Sequence, residues 1–243
     1  ATGLFARAAG LSTRALGLSA RAGGRSHTFD HRADGYARGE ACVATALKYV
    51  GEQSAAGGIL WCGSAIQQDG RSASLTAPNG AAQQLLLYAA LSNAGQTPSQ
   101  LQAVQAHGTG TKLGDPIEIG SLASAILAGA PQSVIAGGVK ANAGHAEPVA
   151  ALVGLVAVQA SLLGGMAVPN AQLRALNPFV ASVSVDAPPC MFAAQLARQP
   201  CSPLLAGGAH GLTSLGASGT IGHGLCRKRT ATIDDQAPGL PAT

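Results

Sequence analysis

The sequence predicts an α/β fold built on a mainly parallel sheet, and three observations carry that reading. Apolar residues make up 47% of the 243 residues and charged residues 11%, enough to fill a core and too apolar for a disordered chain. Aromatics are only 3% while Ala and Gly are plentiful, so the core is built from small side chains that let helices approach a sheet closely. Strand-like, loop-like and helix-like segments alternate along the chain, which is the pattern of βα units.

The first residues stand apart. From Ala1 to Thr28 there is no acid, and Arg7, Arg14, Arg21 and Arg25 are interspersed with Ser and Thr. That is the composition of an organelle transit peptide, and two readings stay open: a transit-like segment for a plastid or mitochondrion, or an ordered Ala- and Arg-rich lead-in. Residues 29–228 form the body of the protein, and residues 229–243 read as a loose polar tail. Thr28-Phe29-Asp30 reads as the start of a strand, and the small and apolar run Ala41 to Leu47 as an apolar strand within an extended stretch reaching Val50. Ile59 to Ile66 is a second strand, followed by the polar loop Gln67 to Ser72. Pro78-Asn79-Gly80 opens a helix over Ala81 to Asn93. Leu101 to Ala106 reads as a strand, Asp115-Pro116 caps a helix over Ile117 to Leu127, Ser133 to Lys140 is a strand, and Asn142 to His145 is a loop. Pro148 then begins a long apolar helix that ends at Gly164-Gly165.

That helix is the sharpest ambiguity, because no charged residue occurs between Glu147 and Arg174 and a run of this length can span a bilayer. Its Ala and Gly content, the polar Gln159 and Ser161, the break at Gly164-Gly165 and Pro169, and the lack of flanking Trp or Tyr belts favour a buried core helix. Insertion is therefore not expected, while peripheral association with a membrane complex stays compatible.

Several function classes are excluded. The five cysteines, Cys42, Cys62, Cys190, Cys201 and Cys226, are odd in number and widely spaced, so they form neither a zinc site nor a disulfide framework, and reduced thiols point to an intracellular compartment. His27 and His31 could share a helical face, but the strand start at Thr28 to Asp30 breaks it, so no metal and no cofactor is expected. The net charge of +4 reflects a shortage of acids, and the short cluster Arg227-Lys228-Arg229 has no aromatic stripe beside it, so no nucleic acid is expected.

Three segments carry candidate chemistry. His107 lies in Gln105-Ala106-His107-Gly108-Thr109-Gly110-Thr111, ahead of Leu113-Gly114-Asp115-Pro116-Ile117-Glu118. A Gly-flanked His at the C-terminal end of a strand sits where α/β sheets bind ligands. His145 lies in Lys140-Ala141-Asn142-Ala143-Gly144-His145-Ala146-Glu147, just before a helix N-terminus, where the dipole disfavours an imidazolium. Two neutral imidazoles donating N–H to one carbonyl oxygen would stabilise an enolate. The alternative is that each is a loop histidine satisfied by a backbone carbonyl. The third segment, Ser214 to His223, is a glycine-rich turn entering a final strand; it lacks the Lys-Ser/Thr ending of a phosphate loop.

These segments resemble polyketide and fatty-acid ketosynthases. His107 to Glu118 resembles the signature "AHGTGT.LGDPIE", and Lys140 to Glu147 resembles "KSNIGH.E". Phe29 to Glu40 resembles "FD..ADGY.RGEG", Gly63 to Arg71 resembles "GSAVNQDGRS", and Leu215 to His223 resembles the closing "FGFGGTNAH". The matches occur in family order over roughly Arg25 to Cys226. The resemblance implies the C-terminal half of the thiolase-like, five-layered αβαβα fold, and a decarboxylative Claisen condensation in which an acyl carrier protein delivers the substrates. It implies His107 and His145 as the catalytic histidines. Lys140 would organise the site with an acidic partner such as Glu147, and Thr109, Thr111, Asp115, Glu118, Gly216 and Gly219 would support it.

The departures matter as much. The family nucleophile lies in a "DTACSSS" segment upstream of "FD..ADGY", and no cysteine here has that context; Cys42 falls at a non-nucleophilic position after "RGEG". Ala141 and Ala143 replace the motif serine and isoleucine, Leu215 and Ala217 replace both phenylalanines, and Ile221 replaces the asparagine. Without the nucleophile, covalent catalysis is lost and the chain is expected to be inactive alone. Two functions follow: a ketosynthase fragment that needs its N-terminal half, or a non-catalytic scaffold or accessory subunit in a larger complex.

Overall fold

The structure, a computed structural model, describes residues 23–47, 58–70, 77–129, 133–183, 190–195, 197–198 and 208–229. The lead-in up to residue 22, residues 48–50, Arg71-Ser72, Cys201 and the tail from residue 230 lie outside the described residues. The chain forms β1 (Ile59–Gln68), α1 (Gly80–Asn93), β2 (Leu101–Gln105), α2 (Gly114–Ala125), β3 (Ile135–Gly137), α3 (Lys140–Ala143) and α4 (Ala150–Gly164). It continues with β4 (Met166–Ala167), α5 (Pro178–Ser182), β5 (Met191–Phe192), β6 (Ala197–Arg198), β7 (Ala209–Leu215) and β8 (Thr220–Lys228). One six-stranded sheet has the order β1-β8-β7-β2-β3-β5, and β4 pairs with β6 separately.

The sheet is mixed rather than mainly parallel. β7, β2, β3 and β5 run parallel, while β8 is antiparallel to both β7 and β1. The reason is local. The glycine-rich turn at Gly216 to Gly219 is the tip of a β7–β8 hairpin, closed by Gly216 N–H to the Thr220 carbonyl at 2.7 Å, and a tight turn can only join antiparallel strands. The strand before the turn, β7, reads Ala-His-Gly-Leu-Thr-Ser-Leu and lacks the period-two alternation that marks a strand in sequence.

Two other expectations are corrected. Thr28 to Asp30 forms a turn with a single bridge from Asp30 to Leu176, and residues 41–47 form no strand: among the described residues they have no pairing partner, and Leu47 is 81% exposed. Strand β3 stops at Gly137, so Lys140 begins a helical turn instead of ending a strand, and Asn142 sits within α3.

Helices α1 and α2 cover one face of the sheet, burying Leu86, Leu87, Leu91, Ile119 and Leu122 against or beside Leu101, Val104 and Leu225. Each such side chain contributes about 1.5–3 kcal/mol when taken from water. Asn79 starts α1 by accepting the Ala82 N–H at 3.2 Å, and the Asp69 carboxylate holds the Asn79 N–H at 3.0 Å. Helix α4 covers the opposite face, where Leu155, Val158 and Leu162 meet Leu212 and Cys226. The uncharged helix therefore packs one side on the sheet, although residues 147–164 are by length and composition apolar enough to cross a membrane.

Candidate active site

Parallel strands β2 and β3 end side by side, so the loops that follow them meet at one edge of the sheet. The first carries His107, and the second carries Lys140 and His145. Their imidazoles lie 5.3 Å apart between centroids and nearly perpendicular, at 83°. His145 is buried and His107 half-buried.

Hydrogen bonds assign the protons. The Leu215 N–H donates to His107 Nδ1 at 3.3 Å, and the Glu147 N–H donates to His145 Nδ1 at 3.0 Å. A nitrogen that accepts an N–H carries no proton, so both rings hold their hydrogen on Nε2. Burial, then the Lys140 charge, then His145 push His107 well below the ordinary histidine range. Burial and Lys140 lower His145 to about 4. Both rings are thus neutral near pH 7, each with one N–H free to donate.

Lys140 is buried, with its ammonium donating to the His107 carbonyl and lying 3.4 Å from His107 Nδ1. Burial lowers it to about 8, against the opposing pull of Glu118 and then Asp115. The acidic partner expected for it was Glu147, and that expectation is corrected. Glu147 pairs with Arg38 at 3.0 Å and accepts from the Tyr36 hydroxyl at 3.4 Å, on the outer side of His145. Its own backbone takes the left-handed φ of +46° that few non-glycine residues adopt.

Two buried carboxylates of α2 hold the His107 loop. Glu118 accepts the His107 N–H at 2.6 Å and the Gly108 N–H at 2.9 Å. Asp115 accepts the Gly110 N–H at 3.0 Å and the Phe29 N–H at 2.8 Å. Burial raises both carboxyls, Asp115 to about 7, while these N–H bonds pull them back down. Thr109 and Thr111 hydroxyls lie 3.3 Å apart, and Thr111 accepts the Gly114 N–H at 3.1 Å, which starts α2 one turn earlier than the Asp115-Pro116 pair suggests. Gly216 and Gly219 shape the hairpin tip that aims Leu215 at His107.

The segment after Thr28 clamps both loops. The Thr28 hydroxyl donates to the Gly108 carbonyl at 2.7 Å, and the Gly35 N–H donates to the Gly110 carbonyl at 3.0 Å. The Gly39 N–H donates to the His145 carbonyl at 2.9 Å, and the His145 N–H donates to the Ala37 carbonyl at 2.8 Å. A Cβ on Gly39 would sit 2.3 Å from the Ala143 carbonyl oxygen, so only glycine permits this approach. The Tyr36 ring lies edge-on to His145 with centroids 4.8 Å apart. Sequence reasoning did not single out Tyr36, Arg38 or the Leu215 N–H. Tyr36 and Arg38 stand in a motif whose chemistry is not local, and a backbone donor leaves no residue-type signal.

Of the described cysteines, Cys190 and Cys226 are buried, and burial pushes both thiols up to about 12, while Cys42 is exposed. Cys62 and Cys226 lie in strands and none of the four begins a helix. Ile221 is buried in β8 opposite Leu215, and Ala217 is exposed at the hairpin tip.

Residues 60–174 match the family described as "Beta-ketoacyl synthase, C-terminal domain". Over those residues the chain is a ketosynthase C-terminal domain segment. It is 41% identical over 162 residues to a phenolphthiocerol/phthiocerol polyketide synthase of Mycobacterium tuberculosis, a match covering 65% of this chain and 9% of that protein. It is 39% identical over 158 residues to the lovastatin diketide synthase of Aspergillus terreus, covering 64% and 6%. The oxazolomycin ketosynthase domain of Streptomyces albus JA3453 superposes with a TM-score of 0.72 at 25% identity, over 89% of this chain and 38% of that one. The ketosynthase from module 6 of the bacillaene synthase of Bacillus subtilis 168 shares the fold, with a TM-score of 0.70 at 23% identity over 85% and 37%. This part of the ketosynthase is therefore thiolase-like: one α/β sheet with helices on both faces. It spans less than a tenth of the curated relatives and about two fifths of the solved ketosynthases.

Proposed function

We propose that His107 and His145 are the enolate-stabilising pair of a β-ketoacyl synthase, acting on a malonyl thioester delivered by an acyl carrier protein. The observation that carries this reading is the pair of neutral rings, each with Nδ1 occupied by a backbone N–H and Nε2–H left to donate. Two such donors on one thioester carbonyl oxygen stabilise the charge that develops as the malonyl C–C bond breaks and carbon dioxide leaves. The bonding pair moves onto that oxygen as an enolate. The enolate carbon then attacks an acyl thioester held on a cysteine, and the thiolate leaves. Burial, reinforced by the Lys140 charge, keeps both rings unprotonated, and Lys140 anchors the His107 carbonyl.

The nucleophile in this proposal comes from outside these 243 residues. Thioester exchange needs a thiolate with a lowered pKa, and burial does the opposite to Cys190 and Cys226. The 243-residue chain alone is then without acyl-accepting or condensing activity, and it works against an N-terminal ketosynthase half.

The test is incubation of the purified chain with labelled acyl- and malonyl-carrier protein. Carbon dioxide release without acylation, lost in His107→Ala and His145→Ala, is the expected result. Stable acylation of any of the five cysteines, abolished by its replacement with Ser, overturns the assignment of the nucleophile. If neither occurs, the chain serves as a non-catalytic scaffold.

A further inference from the structure

Behind the His107 loop, between α1, α2 and the sheet, lies a small cavity of about 10 Å³. Leu86, Val104 and Leu122 supply apolar walls, but three polar side chains also line it: Gln83 of α1, Glu118 of α2 and Thr213 of β7. All three are more than nine-tenths buried, at 3%, 6% and 8% exposure. Gln83 Nε2 has no hydrogen-bond partner, which a buried amide donor rarely tolerates. Its placement is set by the start of α1, where the Gln83 N–H donates to the Asn79 carbonyl at 3.1 Å and the side chain turns inward.

A second donor reaches the same space. His223 Nδ1 lies 2.9 Å from Thr213 Oγ1, while its Nε2 is buried without a partner. A buried bare nitrogen is tolerated better than a buried orphan N–H, so the proton sits on Nδ1 and points at Thr213. The Thr213 hydroxyl then accepts from His223 and keeps its own hydrogen for the cavity. The acceptor there is Glu118, whose two oxygens each take one backbone N–H and have a lone pair left. The volume is that of one water, and three polar partners fall within the two to four that buried waters take.

We propose that a single water fills this cavity, accepting from Gln83 Nε2 and Thr213 Oγ1 and donating to the Glu118 carboxylate, so that Gln83 and Thr213 are positioning residues for the loop bearing His107. The water fixes the plane of the carboxylate, and the carboxylate fixes the His107 and Gly108 N–H groups. This holds whether or not the chain acts on malonyl thioesters, so its test reads the loop and not turnover.

A high-resolution crystal structure of the chain shows a density peak within hydrogen-bond distance of Gln83, Thr213 and Glu118. A cavity without such a peak, or the Gln83 amide placed directly on Glu118, overturns the proposal. In Gln83→Leu, amide hydrogen exchange at His107 and Gly108 speeds up about tenfold, while Leu225 in the core of β8 is unchanged. Uniform acceleration across the sheet, or no change at the loop, shows that Gln83 only packs and overturns it. If Gln83→Leu does not fold, Thr213→Val gives the same local signature, and the crystal structure of the unaltered chain decides independently.

Discussion

Replacing Glu118 with Gln tests how the His107 loop is held. The carboxylate accepts two backbone N–H groups, from His107 at 2.6 Å and Gly108 at 2.9 Å, and the side chain is 6% exposed. A glutamine keeps one acceptor oxygen and turns an NH₂ toward the other backbone donor. One charge-assisted bond is lost and a buried N–H is left unpaired, a loss of about 2–4 kcal/mol. The substitution also removes a charge that holds Lys140 up, so Lys140 falls below its value of about 8 and becomes neutral more readily. Urea unfolding at pH 7 reads the first effect: the midpoint drops by about 1 M if the slope is typical of a domain this size. Amide exchange at Gly108 reads it locally. A Glu118→Gln chain whose stability stays within about 0.5 kcal/mol of the original refutes the view that this carboxylate positions His107.

Three further outcomes follow. Gly39→Ala forces a Cβ against the Ala143 carbonyl, where it would stand at 2.3 Å, and separates the clamp from His145; a destabilisation of about 3 kcal/mol or more is expected in denaturant unfolding. Lys140→Met removes the cation that lowers both rings, so NMR titration finds His107 and His145 shifted upward, and an unchanged titration contradicts the electrostatic role of Lys140. Stability also depends on pH. His107, His145, His210 and His223 are all lowered by burial, the last three to about 4, so the unfolded chain takes up protons below 6.5 that the folded chain refuses until about 4. The histidine contribution to stability is full above 6.5 and falls as pH drops through that window. Asp115, raised to about 7, acts in the opposite sense, losing stability as pH rises from 3.8, and Glu118 is raised likewise. With His27 also lowered by burial, the histidines outweigh Asp115 at pH 5, so unfolding there takes up protons on balance, measurable by calorimetry in buffers of different ionisation enthalpy.

The sequence made the parallel part of the sheet legible because β2 and β3 each pass into a Gly-flanked histidine loop and then a helix. It did not reveal β7, whose residues Ala209 to Leu215 alternate little, so the antiparallel pairing of β7 with β8 was missed. The long helix was legible as a core element from its small residues, and α4 does pack on Leu212 and Cys226. The side chains His107, His145 and Lys140 were legible from their loops and do come together. Their supports were only partly so. Glu118 and Asp115 lie within the motif, but that they act on backbone N–H groups is a matter of geometry. The resemblance suggested Glu147 as the acidic partner of Lys140, whereas in the structure Glu147 pairs with Arg38.

Nitrogen-15 NMR of the two imidazoles at pH 7 asks most directly whether His107 and His145 form a pair of neutral donors. Both rings should be uncharged, with a protonated Nε2 and a bare Nδ1, and they should remain so until the pH falls well below 6.5. A proton on Nδ1 of either ring would contradict the arrangement: the neutral Nδ1 tautomer has no Nε2–H for an enolate oxygen, and an imidazolium at pH 7 could not accept the backbone N–H that meets Nδ1.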